Sequence, residues 1–205
     1  VIKSTRVATV NIHQSLLPTY RGRHPLNWSI INGENYTGVT LHHLSENFDE
    51  GNIILQKKIK ISEADTIMDL YWGTVEKGRE LLGTFYKNAK KGDIKGIRQN
   101  PGLASYFPPR KPREGKINWR EPAINIHNLI RALTYPYPGA YFYYKRKKWV
   151  IEEAQVISKG PSDSKIGEPV FYEDDCFVKT GTEFIEIKRL RNHKLIEIKN
   201  QTFSF

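Results

Sequence analysis

Residues 87–116 divide the chain. Gly92, Gly96, Pro101, Gly102, Pro108, Pro109 and Pro112 fall inside that stretch and forbid a continuous helix through it. The hydrophobic pattern differs on its two sides, so the 205 residues are expected to form two domains of different class. The stretch also carries nine basic residues (Lys87, Lys90, Lys91, Lys95, Arg98, Arg110, Lys111, Arg113 and Lys116) against two acids, Asp93 and Glu114. A basic, Pro/Gly-interrupted segment between patterned regions reads as an interdomain connector. A solvated linker without a ligand is the commoner meaning of such a charge run.

Upstream, residues 7–12 are short and β-branched and read as a buried strand ending near His13. Pro25 suits the first turn of a short helix through Trp28, Ile30 and Ile31, stopped by Asn32-Gly33. Strands follow at 38–42 and from Ile53, with a polar turn at 45–51 between them. A long helix is expected from an N-cap at Asp65 to near Gly92. Its apolar face would be Ile67, Leu70, Tyr71, Val75, Leu81, Leu82 and Phe85. This order fits an α/β sheet. Downstream, Pro122 opens an amphipathic helix presenting Ile126, Leu129, Ile130 and Leu133. Short strands are then expected at 140–144, 149–157, 176–179, 184–187 and 195–198, the pattern of a small barrel.

The net charge of +10 is no tail effect: residues up to Gly115 contribute +6 (17 basic, 11 acidic) and the rest +4 (15 basic, 11 acidic). It points to an anionic partner, with a solvated lysine-rich surface as the plain alternative. No apolar run approaches the roughly 18 residues of a membrane helix, and no signal-peptide pattern opens the chain, so no membrane is expected. Cys176 is the only cysteine and forms no internal disulfide. No Cys/His cluster has zinc spacing; no metal is expected, and a reducing cytoplasm is the expected location.

The most informative stretch is Asn11-Ile12-His13-Gln14-Ser15-Leu16-Leu17-Pro18-Thr19-Tyr20-Arg21-Gly22. On a strand, period two points Asn11 and His13 to one face, and open α/β sheets place ligands outside the carboxyl ends of their strands. An amide and an imidazole converging there can donate to one oxygen, as an oxyanion of a tetrahedral intermediate requires. A loop carboxylate in Asp49-Glu50-Gly51 would orient or charge His13 and move protons. Taken singly, each residue has a blander meaning: a satisfied strand-end histidine, or a turn-forming aspartate.

Together these segments, with Thr37-Gly38-Val39-Thr40, resemble the 10-formyltetrahydrofolate-dependent formyltransferases: methionyl-tRNA, glycinamide ribonucleotide and amino-sugar formyltransferases. Gly115-Lys116-Ile117-Asn118-Trp119, 126–132 and Tyr137-Pro138-Gly139-Ala140 resemble the start of that family's C-terminal OB-like barrel. The resemblance implies a partial Rossmann-like catalytic domain at 1–92, a basic linker at 93–115 and an OB-like domain at 116–205. It implies Asn11, His13 and Asp49 as catalytic residues and 10-formyltetrahydrofolate as co-substrate, with Glu46, Asn47, Phe48 and Asp49 along the pterin. Ser15, Leu17, Pro18 and His42 would shape the site; a half-buried strand histidine is an equal reading of His42. The family carries roughly a further half-domain before this point. Ten residues precede Asn11 here, so either a fragment of a longer protein or a degenerate relative is expected, and the aggregation hazard of a half sheet's exposed edge favours the fragment.

Two acceptors compete. Arg23-His24-Pro25-Leu26-Asn27-Trp28 and Tyr135-Pro136-Tyr137-Pro138-Gly139 resemble the amino-sugar enzymes, including the UDP-4-amino-4-deoxyarabinose type. The basic connector, and Lys145-Arg146-Lys147-Lys148 on an expected hairpin tip beside Tyr141, Tyr143 and Tyr144, suit initiator tRNA. A nucleotide-linked amino sugar is placed slightly ahead. Tyr20, Arg21, Trp28, Arg110, Lys111 and Arg113 are the acceptor-binding candidates. A non-catalytic RNA-binding relative is the reading from another class, and retention of Asn11, His13 and Asp49 weighs against it. Dimerisation through the C-terminal region has no support in the sequence.

Overall fold

The computed structural model describes residues 8–202, so Val7 of the expected first strand lies outside the described residues. The chain forms two compact units: 1–29 with 34–110, and 30–33 with 111–205.

In the first unit, β1 (Val10–His13), β3 (Tyr36–His43) and β4 (Ile53–Lys60) make an antiparallel sheet in the order β1-β3-β4. Between β1 and β3 lie the short strand β2 (Arg21–Gly22) and helix α1 (Pro25–Ile31), which Gly33 terminates at φ +69°. Alternation along the strands sends Ile12, Val39 and Leu41 to the face that packs with Leu81 and Phe85 of α2 (Ile67–Ala89). The opposite face of β1 and β3 is polar.

Helix α2 differs from expectation in two respects. Its N-cap is Thr66, in a capping box with Asp69, while Asp65 accepts the Ser62 N–H at 2.7 Å and closes the preceding turn. The buried stripe is Ile67, Leu70, Thr74, Gly78 and Leu81, leaving Tyr71 and Leu82 exposed. The stripe is set by close approach rather than by bulk. Gly78 lets Ile12 and Val39 come near, and Thr74 receives the Gln14 amide at 2.9 Å.

The segment expected to be a solvated connector folds onto the first unit. Ile97 exchanges backbone hydrogen bonds with Ile53, and β5 (Tyr106–Phe107) pairs parallel with β2. Glycine and proline break helices here without preventing these pairings. The basic side chains Lys95 and Arg98 stay exposed.

The second unit is a half-barrel: a five-stranded antiparallel sheet, with helix α3 (Ala123–Ala132) packed against it. Its strands are β6 (Ala140–Tyr144), β7 (Lys147–Ile157), β8 (Pro169–Tyr172), β9 (Asp175–Lys179) and β10 (Phe184–Leu190), in the order β6-β7-β10-β9-β8. Trp149, Phe142, Ile151, Ile185 and Cys176 fill its core. β6 and β7 turn tightly through Lys145 and Arg146, both at positive φ. Strand β8 escaped the sequence pattern, and the strand expected at 195–198 is instead helix α4 (Leu195–Thr202). Leu195 and Ile198, three apart, face the core while Ile196 is exposed. Glu197 caps the turn by accepting the Lys194 N–H at 2.9 Å.

Candidate active site

The polar face of the first sheet carries the site. Antiparallel register sets Asn11 opposite His42 and His13 opposite Thr40. Asn11 Nδ2 approaches His42 Nε2 at 3.3 Å, and His42 Nδ1 donates to the His43 carbonyl at 2.8 Å. Burial pulls the His42 imidazole below its ordinary range, against the His43 carbonyl and the Asp49 carboxylate, which both favour the proton.

Asp49 arrives from the loop between β3 and β4. Its Oδ2 accepts the Gly22 N–H at 2.9 Å, while Oδ1 lies 3.5 Å from His13 Nδ1 and 3.7 Å from His42 Nε2. His13 Nε2 donates to the Tyr20 carbonyl at 2.8 Å. Oxygen atoms of Tyr20 and Asp49 therefore meet the His13 ring on both sides. The loop needs special backbone positions: Asp49 sits at φ +58°, and a Cβ on Gly51 would run into the His43 carbonyl.

The Ser15-Leu16-Leu17-Pro18 loop, whose Leu17–Pro18 peptide is cis, is tied down by two side chains. The Thr40 hydroxyl donates to the Ser15 carbonyl at 2.6 Å and accepts the Leu17 N–H at 3.2 Å. Gln56 donates to the Leu17 carbonyl at 3.0 Å. The Ser15 hydroxyl turns inward, to the Thr19 carbonyl at 2.7 Å. Glu46, Asn47 and Phe48 lie exposed on the Asp49 loop; Phe48 is 82% exposed, so its ring is open to a planar ligand.

Of the acceptor candidates, Tyr20 and Trp28 both pack on Phe107, while Arg21 is turned inward. Arg21 is only 4% exposed and is no surface contact. Its Nε and Nη2 both donate to Gln99 Oε1, at 3.1 and 2.6 Å, and Nη1 donates to the Tyr106 hydroxyl, which in turn donates to Glu50. That Tyr106 hydrogen bond holds the Glu50 carboxyl below its usual range, with Asn47 and Arg21 adding to it. Tyr20 stacks on Phe107 with ring centres 4.5 Å apart and donates its hydroxyl to Glu34 at 2.7 Å. Trp28 donates to the Pro108 carbonyl at 3.0 Å, and the Arg110 guanidinium covers its ring at 4.6 Å. Lys111 and Arg113 belong to the second unit, at an exposed turn.

Sequence reasoning missed Gln99. Its Nε2 donates at 2.7 Å to both the Asp49 and the Gly51 carbonyls. No spacing or motif singles out one glutamine within a basic, Pro/Gly-rich stretch.

Three comparisons bear on this geometry. The bifunctional polymyxin resistance protein ArnA of Wigglesworthia glossinidia brevipalpis is 42% identical over 156 residues, which are 76% of this chain and 24% of that protein. An N-formyltransferase from Helicobacter canadensis, solved with folinic acid and dTDP-3-aminofucose, superposes with a TM-score of 0.73 at 26% identity. It covers 89% of this chain, which spans 66% of it. WlaRD, a sugar 3N-formyltransferase solved with dTDP and 5-N-formyl-THF, gives a TM-score of 0.70 at 26% identity, over 90% of this chain and 65% of that one. This chain thus spans about a quarter of ArnA and about two thirds of the two solved enzymes. The formyl transferase domain matches residues 1–84 and the formyl transferase C-terminal domain residues 110–203, and the chain belongs to the formyltransferase family.

Proposed function

We propose that this protein moves a formyl group from 10-formyltetrahydrofolate to a primary amine, with a nucleotide-linked amino sugar as the acceptor. The observation that carries the reading is the convergence of Asn11, His13 and Asp49, which strand β1 and the loop between β3 and β4 bring to one polar sheet face. In this reading the amine nitrogen bonds to the formyl carbon, the carbonyl oxygen takes up negative charge, and the bond from carbon to the folate nitrogen then breaks. Asn11, with a second N–H beyond the one facing His42, and the His13 imidazole stabilise that oxygen. Asp49 holds the His13 ring and passes the amine proton toward the departing folate nitrogen. The exposed Phe48 and the loop around it flank the pterin. Asn11, His13 and Asp49 all lie in the first unit.

The sugar acceptor draws support from the Arg23–Trp28 motif and from the two structural relatives solved with dTDP or a dTDP-sugar. Initiator methionyl-tRNA is the second reading. It is favoured by the β6–β7 hairpin, where Lys148 lies 4.0 Å above the Tyr141 ring and Tyr143 is exposed beside Lys145 and Arg146. The test incubates the protein with 10-formyltetrahydrofolate and either a panel of nucleotide-linked amino sugars or initiator methionyl-tRNA. Formylation of a sugar amine supports the proposal. Formylation of tRNA alone, weakening steeply with salt, overturns the acceptor assignment.

A further inference from the structure

We infer that Gln99 is a positioning residue for Asp49: it sets the place and direction of the carboxylate without touching the reacting atoms. The inference rests on the proposed role of Asp49 in formyl transfer. Gln99 is 6% exposed and its amide is spent at both ends. Oε1 faces the Arg21 Nε and Nη2, and a guanidinium only donates, so the orientation of the amide is fixed. The Nε2 end must then point at the Asp49 loop, where it bridges the carbonyls of Asp49 and Gly51 at 2.7 Å each.

Those carbonyls flank the one residue between them, Glu50, and pulling them onto a single nitrogen curls the loop. The curl holds Asp49 at φ +58°, a left-handed conformation that is unfavourable for an L-residue. The same curl directs Oδ2 to the Gly22 N–H and Oδ1 to His13. Glu50 closes the circuit through the Tyr106 hydroxyl and lies 3.4 Å from Arg21 Nη1. The chain Arg21–Gln99–Asp49 thus joins β2, the 94–110 segment and the catalytic loop.

Gln99→Glu tests this most sharply. The carboxylate keeps the size and gains an ion pair with Arg21, but presents an acceptor to two carbonyl oxygens where a donor is needed. The expected result is a kcat at least about tenfold lower with both KM values within about twofold, and altered ring-nitrogen signals for His13 in the ¹⁵N-histidine spectrum of the substrate-free protein. If Gln99→Glu does not fold, Gln99→Met, which keeps the length and removes both hydrogen-bonding ends, carries the same expectations. An unchanged kcat together with an unchanged His13 spectrum, in a folded variant, overturns the inference. The spectrum is read without turnover. An altered His13 signal therefore supports positioning even if the wild type transfers no formyl group, a result that would sink only the functional reading.

Discussion

Asn11 Nδ2 faces His42 Nε2 across the β1–β3 ladder at 3.3 Å, and the His42 tautomer decides what that contact is. The His42 Nδ1 proton goes to the His43 carbonyl, so in the neutral ring Nε2 is an acceptor and the Asn11 amide nitrogen must be the atom presented to it. One Asn11 N–H is thereby fixed.

This relationship predicts a pH dependence. Burial lowers the His42 pKa beneath its ordinary 6.5, so between the lowered value and 6.5 the unfolded chain binds a proton that the folded one refuses. Stability contributed by His42 is therefore full above 6.5 and falls as the pH drops below it. Urea denaturation between pH 7.5 and 5 should show this decline, and His42→Gln should reduce it, leaving the part due to His24, which burial lowers as well.

Glycine positions separate strain from freedom. Gly51→Ala drives a Cβ into the His43 carbonyl and should cost about 1–3 kcal/mol, with loss of activity through the Asp49 loop. Gly83 lies inside α2 with nothing within 4 Å of a Cβ. Gly83→Ala should therefore raise stability by about 0.5–1 kcal/mol. Denaturant melts of both variants check the two signs.

Cys176 lies fully buried in β9, and burial pushes its thiol up to about 12. Iodoacetamide at pH 8 should leave it unmodified in the folded protein and label it readily in denaturant. Fast labelling of the folded protein would mean that the half-barrel opens locally.

The sequence is legible where one short segment carries both pattern and chemistry. Asn11 and His13 share a strand, so period two alone puts them on one face, and Pro25 and Asn32-Gly33 bracket α1 by ordinary helix rules. Legibility fails where a residue acts through distant backbone. Arg21 reads as a surface cation because its partners, Gln99 and Tyr106, lie 78 and 85 residues away. The segment holding them reads as a linker because its backbone pairings with Ile53 and β2 leave no local periodicity. In 195–198, Leu195, Ile196 and Ile198 fit a strand as well as a helix turn. Packing of Leu195 and Ile198 on the half-barrel decides for the helix.

The role of Asp49 is decided by the single-turnover rate of formyl transfer from 10-formyltetrahydrofolate by Asp49→Asn, measured beside the wild type on the same amine. The variant keeps the shape of the side chain but removes the charge facing His13. Transfer by the variant is expected to be slower by at least about a hundredfold with the fold intact. Near-normal transfer by the folded variant would contradict it.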